Sequence, residues 1–126
     1  MMLNSRKALV SLGAVKTFPV MHPSSDQALT SPGLTLIDFT AAWCGPCKQL
    51  RPVLESLASE KQIKLAMIDV DHDPVLAQQF QVRSMPTVVL WRDGREVGRF
   101  VGARHRAYVA GMIDRALAGD TAIAAP

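Results

Sequence analysis

An α/β architecture built on a mixed β-sheet is predicted for this chain of 126 residues, on three observations. Two near-continuous apolar runs, LTLIDF at residues 34–39 and IKLAMIDVD at residues 63–71, have the pattern of strands buried on both faces. Stretches with helical spacing alternate with them, so the strands are joined by crossovers and run parallel. Late in the chain, TVVLWRDGREVGRFVG sets Asp93-Gly94 between two β-rich runs, which marks an antiparallel hairpin.

Taken in order, the chain opens on MMLNSRK and ALVSLGAV, which imitate a secretion leader poorly. The apolar part is short and diluted by Ser11 and Gly13, and Lys16, Phe18 and Pro19 stand where a small-residue cleavage site belongs. The expectation is a loosely ordered extension over residues 1–14, leading into a first strand of a domain over residues 15–118, with a tail from 119 to 126. PVMHPSSDQALTSPG, residues 19–33, reads as a short helix between turns, started by Ser24, Ser25 and Asp26 and closed by Pro32-Gly33. The strand at 34–39 is interrupted by one acid, Asp38. Leu50, Val53, Leu54, Leu57 and Ala58 then fall at helical spacing and predict an amphipathic helix from Pro46 to Glu60, kinked at Pro52. After the second buried strand, DPVLAQQF gives a short helix with Asp73 as its cap. Following the hairpin, residues 104–117 form a helix whose apolar face is Tyr108, Met112, Ile113, Ala116 and Leu117, ended by Gly119.

Composition sets the function classes aside or in play. Hydrophobic residues make up 48% and charged residues 20%, the balance of a packed soluble domain. The net charge of +3 is small, and most of the excess lies in residues 1–33, where Arg6, Lys7 and Lys16 stand against Asp26 alone. With no Lys/Arg block, no nucleic-acid partner is expected. No apolar run reaches the length of a membrane span.

The chemistry concentrates in AAWCGPCK, residues 41–48, which holds both cysteines. A structural clasp is a weak reading, because a disulfide closing so small a loop removes little unfolded-state entropy. A structural zinc site wants four Cys or His ligands. There is no second cysteine pair, and His22, His72 and His105 are scattered over a turn, a strand end and a helix start, so no metal site is expected. A reactive pair fits the position, just past a buried strand and at the start of a helix. The unpaired N–H groups and positive end of that helix favour thiolate at Cys44 and lower its pKa from the ordinary value of about 8.5, making Cys44 the nucleophile.

Trp43-Cys44-Gly45-Pro46-Cys47-Lys48, preceded by LIDFTAA and followed, after a strand and a helix, by Met85-Pro86-Thr87, resembles the thioredoxin family over residues 15–118. The resemblance implies the thioredoxin fold, a central mixed sheet flanked by helices on both faces. It implies a protein-disulfide reductase in which Cys44 attacks a target disulfide and Cys47 resolves the mixed disulfide. Asp38, six residues before Cys44, would then accept the Cys47 proton, since burial raises a carboxylate towards neutrality; the plainer reading is a strand-end cap. Pro86 matches the family's cis-proline, leaving the Met85 backbone free to pair with an extended target segment. Trp43 would cover the cysteines and contact partners, unless it is simply a core residue. Gly45 and Pro46 hold the turn, and Gly102 and Ala103 present a flat backbone to the target. A reversible Cys44–Cys47 disulfide replaces any bound cofactor, and the implied partners are a thioredoxin reductase or similar donor and disulfide-containing proteins, met by a monomer in the cytoplasm. The alternatives are an exported thiol-disulfide protein serving envelope targets, or a binding module of the same fold with incidental cysteines.

Three positions depart from the family pattern: Thr40, where bacterial members often have a second Trp; Met67, where many have a Lys close to the buried acid; and the longer, more basic N-terminal segment. Without the Lys, Asp38 is expected to lack a cationic partner.

Overall fold

The computed structural model describes residues 20–21 and 29–119. Five strands, β1 (Val20–Met21), β2 (Leu34–Thr40), β3 (Lys64–Asp69), β4 (Thr87–Arg92) and β5 (Arg95–Val101), form one sheet in the order β1-β3-β2-β4-β5. β1, β3 and β2 run parallel, whereas β4 pairs antiparallel with β2 and β5 with β4. Three helices complete the described fold: α1 (Gly45–Lys61), α2 (Pro74–Gln79) and α3 (Arg106–Leu117). The mixed sheet and terminal hairpin are those expected from the sequence. The extension over residues 1–14 and most of the helix expected within 19–33 lie outside the described residues, although Leu29 and Thr30 are helical. β1 is a correction: it occupies Val20–Met21, inside the stretch read as turns and helix, because a two-residue edge strand leaves no periodic trace.

Alternation along β2 divides the interior into two layers. Leu34 and Leu36 turn to one face and pack with Leu50, Leu54 and Leu57 of α1 and with Val109, Met112 and Ile113 of α3. Ile37 and Phe39 turn to the other, against Leu76 and Ala77 of α2. There the Phe39, Phe80 and Trp91 rings follow one another with centroids 5.3 and 5.5 Å apart, and the Trp91 indole N–H donates to the Leu29 carbonyl at 2.9 Å. Helices therefore cover both faces and leave the chain's reactive loops at one end of the sheet.

Local chemistry accounts for the boundaries. The α1 helix runs through Pro52 to Lys61, so the Lys48 carbonyl four residues back lacks a backbone donor from that position. It ends at Gln62 in the left-handed region (φ 58), where Gln62 N–H donates to Ser59 and Ile63 N–H to Ala58 while Ile63 is buried. Asp73 caps α2 through its side chain, accepting from Leu76 N–H at 3.1 Å. Asp93 and Gly94 both take positive φ, 51 and 88, as the two-residue hairpin requires. The apolar face of α3 is rotated from the expected one: Val109, Met112, Ile113 and Ala116 are buried, while Leu117 is exposed.

Candidate active site

At the carboxyl end of β2 the chain makes a tight turn in which Cys44 N–H donates to the Ala41 carbonyl at 3.1 Å. The turn places Cys44 at the N-cap of α1, with extended backbone (φ −92, ψ 110), and Pro46 in the first helical turn, where its missing N–H costs nothing. Cys44 Sγ accepts a hydrogen bond from Cys47 N–H at 3.2 Å. No acid stands in that first turn, so the positive end of the helix falls on Cys44 uncompensated. Cys44 and Cys47 are joined in a disulfide with Cα atoms 5.3 Å apart. They are 5% and 2% exposed, so the difference in access expected between them is slight in this oxidised form. Val70 and Met85 pack against the pair from outside.

Trp43 precedes the disulfide on the exposed side of the turn. It is 65% exposed, and its indole N–H donates to Asp71 Oδ2 at 2.9 Å, which turns the ring towards the β3–α2 loop. The core reading of Trp43 therefore fails. Asp71 is itself placed by its N–H, which donates to Asp69 Oδ1 at 2.8 Å.

Met85–Pro86 is a cis peptide, and the Pro86 carbonyl accepts from Gly102 N–H at 2.9 Å, so these two loops meet beside the disulfide. Pro86 is buried and Met85 half-buried, while Ala103 is exposed. Gly102 has a φ of 94, a conformation that L side chains rarely adopt. At Gly45 a Cβ would meet nothing within 4 Å, so this glycine leaves open surface next to Cys44.

Asp38 lies two residues before the end of β2, on the α1 side of the sheet, in register with Met67 of β3 and Val88 of β4. It is fully buried, and neither carboxylate oxygen has a hydrogen-bond partner among the described residues. Burial pushes its carboxyl up from 3.8 to about 7, against the opposing pull of the Arg51 charge. The strand-end cap is thus ruled out, since a cap needs a donor. The expectation that Asp38 has no cation nearby is also corrected. Met67 is apolar and buried, but Arg51, one turn past Cys47 on α1, acts on the acid. Its spacing of four from Cys47 was readable in the sequence; that this helix face overlooks Asp38 was not.

A pocket of about 370 Å³ opens beside the disulfide, bounded by Cys47, Arg51, Met67, Asp69 and His72 among others. His72 Nδ1 stands 3.4 Å from Asp69 Oδ2, and among the described residues no cluster of His, Cys, Asp or Glu could hold a metal ion. No helix among them is long and apolar enough to cross a membrane.

A family model described as Thioredoxin matches residues 16–115. A thioredoxin of Chlamydia trachomatis is 51% identical over 75 residues, which is 59% of this chain and 74% of that protein. A bifunctional thioredoxin reductase/thioredoxin of Mycobacterium leprae is 49% identical over 83 residues, 64% of this chain but only 18% of its own length. The solved structure of a mutant thioredoxin from Halobacterium salinarum superposes with a TM-score of 0.69 at 36% identity, covering 75% of this chain and 86% of that one.

Proposed function

The chain belongs to the thioredoxin family and is a thiol-disulfide oxidoreductase, and from that premise we propose that it works as a reductase of protein disulfides through residues 15–118. The observation that carries this reading is the Cys44–Cys47 disulfide at the uncompensated N-terminus of α1, together with the buried carboxyl of Asp38 on the α1 side of the sheet, which burial pushes up to about 7.

In the reduced form, the Cys44 thiolate attacks one sulfur of a target disulfide. The target S–S bond breaks, a bond from Cys44 to the target forms, and the target's other sulfur leaves as a thiolate. Asp38 takes the proton of the Cys47 thiol, and the resulting thiolate attacks Cys44 Sγ. The Cys44–Cys47 bond forms as the mixed disulfide breaks, and the target departs with its second sulfur reduced. Two electrons pass from the cysteine pair to the target, and the proton held on Asp38 is available to the departing sulfur. A carboxyl that titrates near 7 suits this role, because it can both take and return a proton at neutral pH.

The target would lie as an extended segment along the Met85 backbone, over the open surface at Trp43, Gly45 and Pro46 and the loop of Pro86, Gly102 and Ala103. The contact of Gly102 with Pro86 and the empty space at Gly45 support that placement. The sulfurs carry both electrons, so no bound cofactor is needed. Re-reduction falls to a thioredoxin reductase or similar donor. The bifunctional thioredoxin reductase/thioredoxin of Mycobacterium leprae, in which the two are joined by name, supports that pairing. A monomer in the cytoplasm suits a dithiol that must be returned to its reduced form between turnovers.

Insulin disulfide reduction, driven by a thioredoxin reductase and NADPH, tests the proposal. Turnover abolished by Cys44→Ser is expected; no turnover of the unmodified chain with either that donor or dithiothreitol sinks it.

A further inference from the structure

The pocket beside the disulfide holds a group that the exchange chemistry has not yet used. Arg51 follows Cys47 by four residues on α1, so the two side chains share the helix face that opens on the pocket. The facing wall is Met67, whose strand neighbour in register is Asp38. Arg51 thus sits on the helix packed over the stretch of sheet that buries the carboxyl. It is held there by Glu55, whose Oε2 lies 3.2 Å from Arg51 Nε.

Among the described residues, few other charges border this region. On α1 there is Lys48 at the pocket's rim, and from β3 and its following loop come Asp69 and His72, which are 3.4 Å apart and pair with each other. On the β4 side the register neighbour is Val88, backed by Phe100 of β5, both apolar. Neither Asp38 oxygen has a hydrogen-bond partner among the described residues, so a charge on that carboxyl has no donor there to offset it.

We propose that Arg51 is a positioning residue for the proton step: from the wall of this pocket it favours the ionised form of Asp38, and so keeps the acceptor of the Cys47 proton available to lower pH, while Glu55 moderates its charge. In that step the S–H bond of Cys47 breaks and an O–H bond forms on Asp38, so negative charge passes from carboxylate to sulfur and no electrons change hands. The inference rests on Asp38 being the proton acceptor. Arg51 is the charge that opposes the upward push of burial on Asp38. Because the guanidinium is half exposed, water and salt screen it, and burial prevails.

Carbon-detected NMR titration of the Asp38 carboxyl in the full-length disulfide form, at low salt, reads this coupling directly. In Arg51→Met the midpoint should rise by roughly half a pH unit, the size of a partly screened charge pair. It should stay near the unmodified value in Arg51→Lys and fall in Glu55→Gln. Equal midpoints in the unmodified chain and Arg51→Met overturn the proposal, as does an Arg51→Lys shift as large as that of Arg51→Met. The pH profile of insulin reduction by the same variants reads the consequence. Its acid limb should move alkaline in Arg51→Met. An NMR shift with an unmoved rate profile would overturn Asp38 as the proton acceptor, and with it the effect on Cys47, while leaving the coupling of Arg51 to Asp38 in place.

Discussion

Asp38 shows how one residue can be costly to the fold and useful to the site. Its carboxyl is fully buried with neither oxygen hydrogen-bonded among the described residues, an arrangement that a stability criterion alone would remove. The sign of its pH effect follows from its two ionisation ranges. The folded state holds a proton up to about 7, whereas the unfolded chain releases it near 3.8. Between those values the folded protein therefore binds more protons than the unfolded one, and stability falls as pH rises through this window, then levels off above it. Asp38→Asn should be more stable than the unmodified chain at pH 8, by up to about 4 kcal/mol, with the gap closing towards pH 4. Urea unfolding at both values measures this, and a gap independent of pH would refute it. The same variant should slow insulin reduction while leaving the first attack by Cys44 possible. The acid was legible in the sequence because a lone charge in LTLIDF has few uses. Its cation was not, because Arg51 on a helix surface is indistinguishable from a solvated charge until the sheet is packed beneath it.

The α1 helix carries most of what positions the reaction: Cys44 as its N-cap, Cys47 in its first turn, Arg51 in its second, and Leu50, Leu54 and Leu57 fixing its roll against β2 and β3. Apolar spacing predicted that roll correctly. For α3 the equivalent reading holds at Met112, Ile113 and Ala116, with Tyr108 packed at the core's edge, but it took in Leu117, which is exposed, and missed Val109, which is fully buried. Beyond its last turn, α1 also carries avoidable strain. Gln62 holds a left-handed conformation (φ 58, ψ 47) that glycine adopts without a Cβ penalty. Gln62→Gly should raise stability by roughly 0.5–1 kcal/mol, seen as a higher urea midpoint with an unchanged slope, and leave reductase activity intact.

At the scale of the whole molecule, the order of strands and helices was written in the chain, because buried parallel strands and a hairpin with Asp93-Gly94 have local signatures. What joins distant parts was not: the Trp43 bond to Asp71 spans 28 positions, and that of Trp91 to Leu29 spans 62. No pattern in either segment announces them. The first strand was expected, but its place at Val20–Met21 was not, because two residues are too few to show any period. Yet the two tryptophans, so differently placed, give the fold an optical property. Trp91 is packed against Phe80 on the face away from α1, whereas Trp43 is largely exposed and adjoins the disulfide in sequence. A disulfide accepts an electron from an excited indole and darkens it. Emission from Trp43 should therefore brighten when dithiothreitol opens the Cys44–Cys47 bond, and the increase should vanish in Trp43→Phe. The chain would then report its own redox state as light, without any added dye.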